Sequence, residues 1–544
     1  MKKKFMRKMT AALIVALVAA LLAACGGGGG GGGQDADGGG EATASDTLNI
    51  GLPNELSSID SAFAYDFTTN PVVTNISEGL LRIDENDELQ PLIAESWEEV
   101  DSTTYVYNIR SDVTFSDGSP LTIGDVMFSL KRYGEPDLAS YLSWMYDNVE
   151  SIEQTDDWQV TVKLKAPDAF WKYVPSTTAG HVHKQEAVEA AGEDYGTVNS
   201  FPVATGPYPA ESWDAGGNLT LAYNPEYWGA AELGENGPDV KKIVVQLIPE
   251  DTTRALAAQS GQIDIDFATP AELIQEIEES ETASIIGPAC PGIRYLAYNC
   301  QKAPFDDVNV RRAVASAIDI ASLQESFVKE LGSATNYTMI PEVLFLYDPE
   351  KWETFVENAP KYEYDLEQAK SYLAASAYPD GFDCKLLVDE YTLSNNLSLS
   401  IQATLKEIGI NVEIDKRANE EVTGIQFGEG IVDGVRPFDF GYFEWVSDFP
   451  DPAGVLNPLL ISSNGEEGGS NSAAYANEKV DELLQKQIES VDQSERVDLI
   501  IEAENIVQDE QPYYVLYQKQ WVFTAANRIK NAENVLNTSY IWNF

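Results

Sequence analysis

The chain has 544 residues, 88 of them acidic against 35 basic, for a formal net charge of −53. A field of that sign repels polyanions, which argues against nucleic acid as a partner and otherwise fits a solvated acidic surface. Hydrophobic residues make up 44% and aromatics 10%, as in folded globular proteins. The length exceeds what one core usually holds, so two or more domains are expected.

Residues 1–24 read as a secretory signal. Lys2, Lys3, Lys4, Arg7 and Lys8 precede an apolar run from Ala11 to Ala24, shorter than the roughly 20 residues of a membrane span. Leu22-Ala23-Ala24-Cys25 closes the run and resembles the bacterial lipobox. That resemblance implies cleavage before Cys25 and lipid attachment to it; a plain secretory signal with an incidental cysteine is the alternative. The glycine tract Gly26 to Gly33 opens a linker, so residues 25–46 are expected to be a flexible tether.

Strand and helix patterns then mix along the chain. Segment 48–52 reads as the first strand. Trp158, Val160, Val162 and Leu164 alternate with polar residues, the period of a half-buried strand. Segments 219–223 and 243–248 are further strands, rich in β-branched residues. Val310, Ala313, Val314, Ala317 and Ile318 recur at helical spacing behind Asp306 or Asp307 as N-cap. Asp365 and Gln368 form a capping-box pattern ahead of Leu366, Ala369 and Leu373. Leu397, Ile401, Leu405 and Ile408 make another helical stripe, stopped by Gly409 before the alternating segment 410–414. Asn477 precedes a helix carrying Val480, Leu483, Leu484 and Ile488. The mixture predicts an α/β class.

Catalytic signatures are absent: there is no phosphate loop, no His-Glu-x-x-His and no Gly-x-Ser-x-Gly elbow. His181 and His183 are the only histidines, in Gly-His-Val-His. Two such ligands without a third make a weak metal site, so neither metal nor cofactor is expected, and the pair reads as ordinary loop or strand. The same scarcity leaves a hydrolase without a base, and no enzyme is expected. Besides Cys25, only Cys290, Cys300 and Cys384 remain, enough for one bridge but not a disulfide framework.

More specific patterns occur in a fixed order. Ala94-Glu95-Ser96-Trp97 leads to Val113-Thr114-Phe115-Ser116-Asp117-Gly118-Ser119-Pro120-Leu121-Thr122 and Gly124-Asp125-Val126-Met127-Phe128-Ser129. Physically this is a strand pair, an Asp-Gly turn and a helix begun after Thr122. Thr205-Gly206-Pro207-Tyr208, Asn224-Pro225-Glu226-Tyr227-Trp228 and Ala257-Ala258-Gln259-Ser260-Gly261-Gln262-Ile263-Asp264 follow. Next come Tyr298-Asn299, Pro304-Phe305-Asp306-Asp307-Val308, Val310-Arg311-Arg312-Ala313 and Ala317-Ile318-Asp319. Glu444-Trp445-Val446-Ser447-Asp448-Phe449-Pro450-Asp451-Pro452 and Tyr475-Ala476-Asn477-Glu478-Lys479-Val480-Asp481 close the series. In this order the fragments resemble the family 5 solute-binding proteins, the extracytoplasmic receptors of oligopeptide, dipeptide and nickel ABC importers.

The resemblance implies an α/β, two-lobe periplasmic-binding-protein-like fold with a hinge and an extra subdomain in one lobe. Residues 47–82, 200–288 and 511–544 would form the first lobe, 83–199 the extra subdomain and 289–510 the second lobe. Segment 513–523, apolar and aromatic, would be the strand that returns to the first lobe. The implied function is a lipid-anchored monomer that captures a peptide or peptide-like solute between the lobes and delivers it to an ABC permease. The alternatives are a nickel or other metal chelate, another amine-bearing solute, or a sensory receptor on the same fold.

In peptide-binding relatives an aspartate of the Trp-x-x-Asp segment anchors the peptide's amino terminus. Here that residue is Asp448, with Trp445 as a stacking wall and Glu444 adding negative charge. Some relatives carry an arginine three residues before the tryptophan, where this chain has Tyr442. A site with Glu444 and Asp448 but no local arginine would favour an amine-bearing ligand and leave a peptide carboxylate without a partner unless Arg294 or Arg436 supplies one. Tyr65 and Asp66 are candidate contacts by position.

Overall fold

The computed structural model describes residues 46–532 apart from 57, 65–67, 85–87, 139, 141, 215, 234–236, 288, 336 and 531. The signal, Cys25, the glycine tether, Tyr65 and Asp66 lie outside the described residues. Among those described, strands form two large mixed sheets, one of seven strands and one of six, plus a four-stranded sheet and a two-stranded ribbon.

Thr47–Leu52 lies inside the seven-stranded sheet, parallel to Lys242–Leu247 on one side and Ile265–Asp266 on the other. The helix Asp251–Gln259 makes the crossover between those two neighbours, the connection that parallel strands require. The six-stranded sheet repeats the device. Phe382–Val388 pairs in parallel with Ile410–Lys416 through the helix Thr392–Lys406. Gly409 follows that helix at φ +88°, a left-handed turn that glycine adopts without a Cβ penalty.

The four-stranded sheet is antiparallel, ordered Ala94–Asp101, Thr104–Ile109, Gln159–Leu164, Val149–Asp156. Tyr105, Tyr107 and Ile109 are buried while Thr104, Val106 and Asn108 are not, the period-two pattern of a strand with one covered face. After the Asp117-Gly118 turn, Thr122 caps the helix Ile123–Tyr133. Its hydroxyl accepts the Asp125 N–H at 3.3 Å, and Asp125 accepts the Thr122 N–H at 3.0 Å. Asp307, Asp365 and Asn477 cap the helices Val308–Ala317, Leu366–Ala375 and Glu478–Glu489.

Segment 513–523 departs from the expected single return strand. Tyr513–Gln520 pairs with Ala289–Tyr298 and Gly332–Ala334 inside the six-stranded sheet, and only Phe523–Ala526 joins the seven-stranded one. The segment is apolar on successive residues because the sheet is covered on both faces. Tyr513 and Val515 belong to one core, Tyr514 and Leu516 to the other.

The chain passes between the large sheets after Ile286 and again at 521–522. Ile286 pairs with Phe523 on one side of these passes and Ala289 with Gln520 on the other, so the connections run side by side.

Among the described residues two ion pairs have neither side chain exposed, Arg254–Asp266 and Arg496–Asp451. Arg496 donates to both oxygens of Asp451 at 2.8 and 2.9 Å, and neither side chain is exposed. Asp451 also accepts from Tyr347 Oη at 2.9 Å and from the Ala453 N–H at 3.0 Å, at the start of the helix Ala453–Leu460. Breaking such a pair strands a buried charge, so Asp451→Ala is expected to cost about 3–5 kcal/mol by urea denaturation. Replacing both partners, Asp451→Leu with Arg496→Met, should restore most of that loss; equal damage in the double variant would refute the stranded-charge account.

Candidate functional site

A cavity of about 730 Å³ lies between the two large sheets. Its walls come from the carboxyl ends of strands on both sides. Pro53, Asn54 and Glu55 follow Thr47–Leu52, and 267–272 follow Ile265–Asp266. Asp389 and Tyr391 follow Phe382–Val388, and Asp448 follows Phe440–Val446. Strand carboxyl ends are where open α/β sheets present ligand crevices. The side-by-side chain connections contribute Gln520, Trp521 and Val522.

Glu444 stands at the centre of a charge cluster. Antiparallel register places Arg294 directly opposite it, and Arg294 Nε lies 2.7 Å from the Glu444 carboxylate. Lys519, from the strand on the other side of Ala289–Tyr298, reaches the same carboxylate at 2.9 Å. Arg294 also lies 3.7 Å from the buried Asp389. Burial by itself would raise the Glu444 pKa, but the Arg294 and Lys519 charges outweigh it and hold the carboxyl at about 2.

This cluster corrects the expectation of a site without a local arginine. The Arg294 guanidinium lies over the Tyr442 ring, 5.4 Å from its centroid. A cation from the neighbouring strand thus lies against Tyr442. Arg436, the other candidate, is spent elsewhere: it is buried and donates to the carbonyls of Ile425 and Gln426 at 3.2 and 2.9 Å.

Asp448 lines the cavity, half-buried, in the turn after Phe440–Val446. The next residue, Phe449, is stacked on Phe170 at 5.5 Å and on Tyr173 at 6.1 Å, among the side chains that cover the four-stranded sheet. Asp451 then enters the Arg496 pair, so the turn is held on both sides of Phe449. Trp445 also borders the cavity, but its indole N–H donates to the Gly454 carbonyl at 3.1 Å and its ring belongs to the core. Strand alternation sends Trp445 and Glu444 to opposite faces of the strand, although both border the cavity.

The histidine pair is buried away from these groups. His183 shares hydrogen bonds with Ser61 and Tyr195, and His181 with Ser77. Burial lowers their pKa values to about 4 and about 3, so both rings are neutral. Among the described residues no group of three or more His, Cys, Asp or Glu is placed to hold a metal ion. Cys290, Cys300 and Cys384 are free thiols. No helix of the described residues is long and apolar enough to cross a membrane.

Residues 88–467 match the family described as bacterial extracellular solute-binding proteins, family 5. The chain belongs to this family. The glutathione-binding protein GsiB of Salmonella typhi is 26% identical over 489 residues, covering 88% of this chain and 90% of the relative. Two solved structures share the fold. DppA from Helicobacter pylori, in complex with the peptide STSA, has a TM-score of 0.76 at 24% identity and covers 91% of this chain and 96% of that one. AppA from Bacillus subtilis, in complex with a nonapeptide, has a TM-score of 0.74 at 22% identity, covering 91% and 98%. Family and fold are those of substrate-binding receptors of ABC importers, with two lobes of mixed α/β structure.

The charge cluster has a measurable consequence. A carboxyl held below its ordinary value stabilises the fold above about pH 4.5, and that contribution is lost as pH falls toward 2. Arg294→Met should raise the Glu444 pKa, each unit costing about 1.4 kcal/mol at neutral pH. The stability gap between wild type and variant, measured by urea unfolding, should therefore narrow as pH is lowered from 4.5. A gap of constant size would show that Arg294 does not set the Glu444 charge.

Proposed function

We propose that this protein is a lipid-anchored extracytoplasmic receptor that captures a short peptide or peptide-like solute between its lobes and presents it to an ABC permease. The observation that carries this reading is the position of Asp448. In a family 5 chain, the residue matching the amino-terminus anchor borders a cavity of about 730 Å³ between the two large sheets, within the range of small-ligand sites. The relative GsiB is named for binding glutathione, itself a short peptide.

In this reading Asp448 accepts hydrogen bonds from the peptide's ammonium, and Trp445 borders the site as an apolar edge. Residues 83–199 act as the extra subdomain beside the first lobe. Contacts from both lobes favour the closed form, because only differential affinity for that state shifts the equilibrium. No covalent step is required of any residue.

Two measurements test it. Asp448→Asn keeps the shape and removes the charge, so calorimetry should show affinity for an amine-bearing peptide falling tenfold to a hundredfold, about 1.5–3 kcal/mol. N-acetylating the peptide should cost about as much on the wild type and little more on the variant, since both changes delete one interaction. Two losses that add in full would mean that Asp448 does not touch the amine. For the anchor, Cys25→Ala should release the protein or leave an uncleaved precursor. A mature wild-type protein that begins elsewhere than Cys25, or carries no lipid, would remove the lipoprotein reading.

A further inference from the structure

Among the described residues, six carboxylates border the cavity: Glu55, Asp251, Glu272, Asp389, Glu444 and Asp448. Two cations oppose them, Arg294 and Lys519. Both cations are engaged by the same carboxylate, that of Glu444, at 2.7 and 2.9 Å. Asp251 has a partner outside the wall, the buried Arg254 at 2.8 Å, and Arg254 is shared with the buried Asp266. The cavity is thus strongly acidic, inside a chain whose net charge is already −53. A low-dielectric cleft lined by one sign of charge concentrates solutes of the other sign.

We infer that Glu444 sets the sign of the charge this receptor accepts: by occupying Arg294 and Lys519 it turns away anionic solutes and selects short peptides with a cationic side chain. A carboxylate on the solute's side chain would have to take Arg294 or Lys519 from Glu444 while lying beside several other carboxylates. An ammonium or guanidinium meets no such competition. Glu444 is therefore a specificity-determining residue through the two cations it holds. The preference also sets this chain apart from its relative GsiB, since glutathione is an anionic peptide.

This inference rests on the cavity being the solute site, and one binding series separates the two. Calorimetry would compare Ala-Lys-Ala, Ala-Ala-Ala, Ala-Glu-Ala and glutathione on the mature protein. Ala-Lys-Ala is expected to bind at least tenfold more tightly than Ala-Glu-Ala and glutathione. Glu444→Gln should shrink the ratio between the lysine and glutamate peptides at least tenfold by releasing Lys519 and leaving Arg294 only its longer contact with Asp389. Should that variant fail to fold, Lys519→Met decides, because removing one cation should widen the ratio. Peptides that bind without charge preference, or a ratio unmoved by either folded variant, overturn the inference and leave the peptide-receptor reading standing. If no peptide binds, that reading falls and takes this inference with it.

Discussion

Two adjacent chain passages carry the architecture. The chain moves between the seven-stranded and six-stranded sheets after Ile286 and at 521–522, with Ile286 paired to Phe523 on one side and Ala289 to Gln520 on the other. The Gln520 side-chain amide donates to the Gly287 carbonyl, tying one passage to the other. Pairing on both sides fixes how the strands of each sheet leave the connection. The remaining features of the cavity follow, because the strand ends that line it belong to sheets joined at that place.

The cavity wall is polar, and its central carboxylate, Glu444, is paired. Removing charges from water is costly, and the cost is offset where opposite charges meet with good geometry. Glu444 meets that condition twice, through Arg294 and Lys519. Below the wall, Arg496 does the same for Asp451. Between these two pairs lies the turn that carries Asp448, with Phe449 inserted among the aromatic side chains over the four-stranded sheet. A residue facing the cavity is thereby coupled to a packed core on the opposite side of the same turn.

Much of this chain was legible one residue after another. Asp307, Asp365 and Asn477 cap the helices their spacing announced, and 159–164 and 410–416 are strands where the alternation placed them. The ordered fragments identified the family without a single contact being known. These signals are local: a cap acts over three residues, a strand alternates every two, and a motif is read along the chain.

The site was legible only in part, and distance along the chain explains which part. Asp448 and the turn around it could be named because they sit within one motif. Arg294 and Lys519 could not be joined to Glu444, since each lies on a different strand and reaches it only through the register of the six-stranded sheet. Nor could the apolar character of 513–523 say which sheet it enters, because a strand covered on both faces looks the same in either. By itself, then, the sequence determined the elements and the family and named Asp448, a residue of the cavity wall, all through short-range patterns. Tertiary structure alone decided the charge partners of the cavity and the faces on which Glu444 and Trp445 lie, because strand register is a property of the whole sheet.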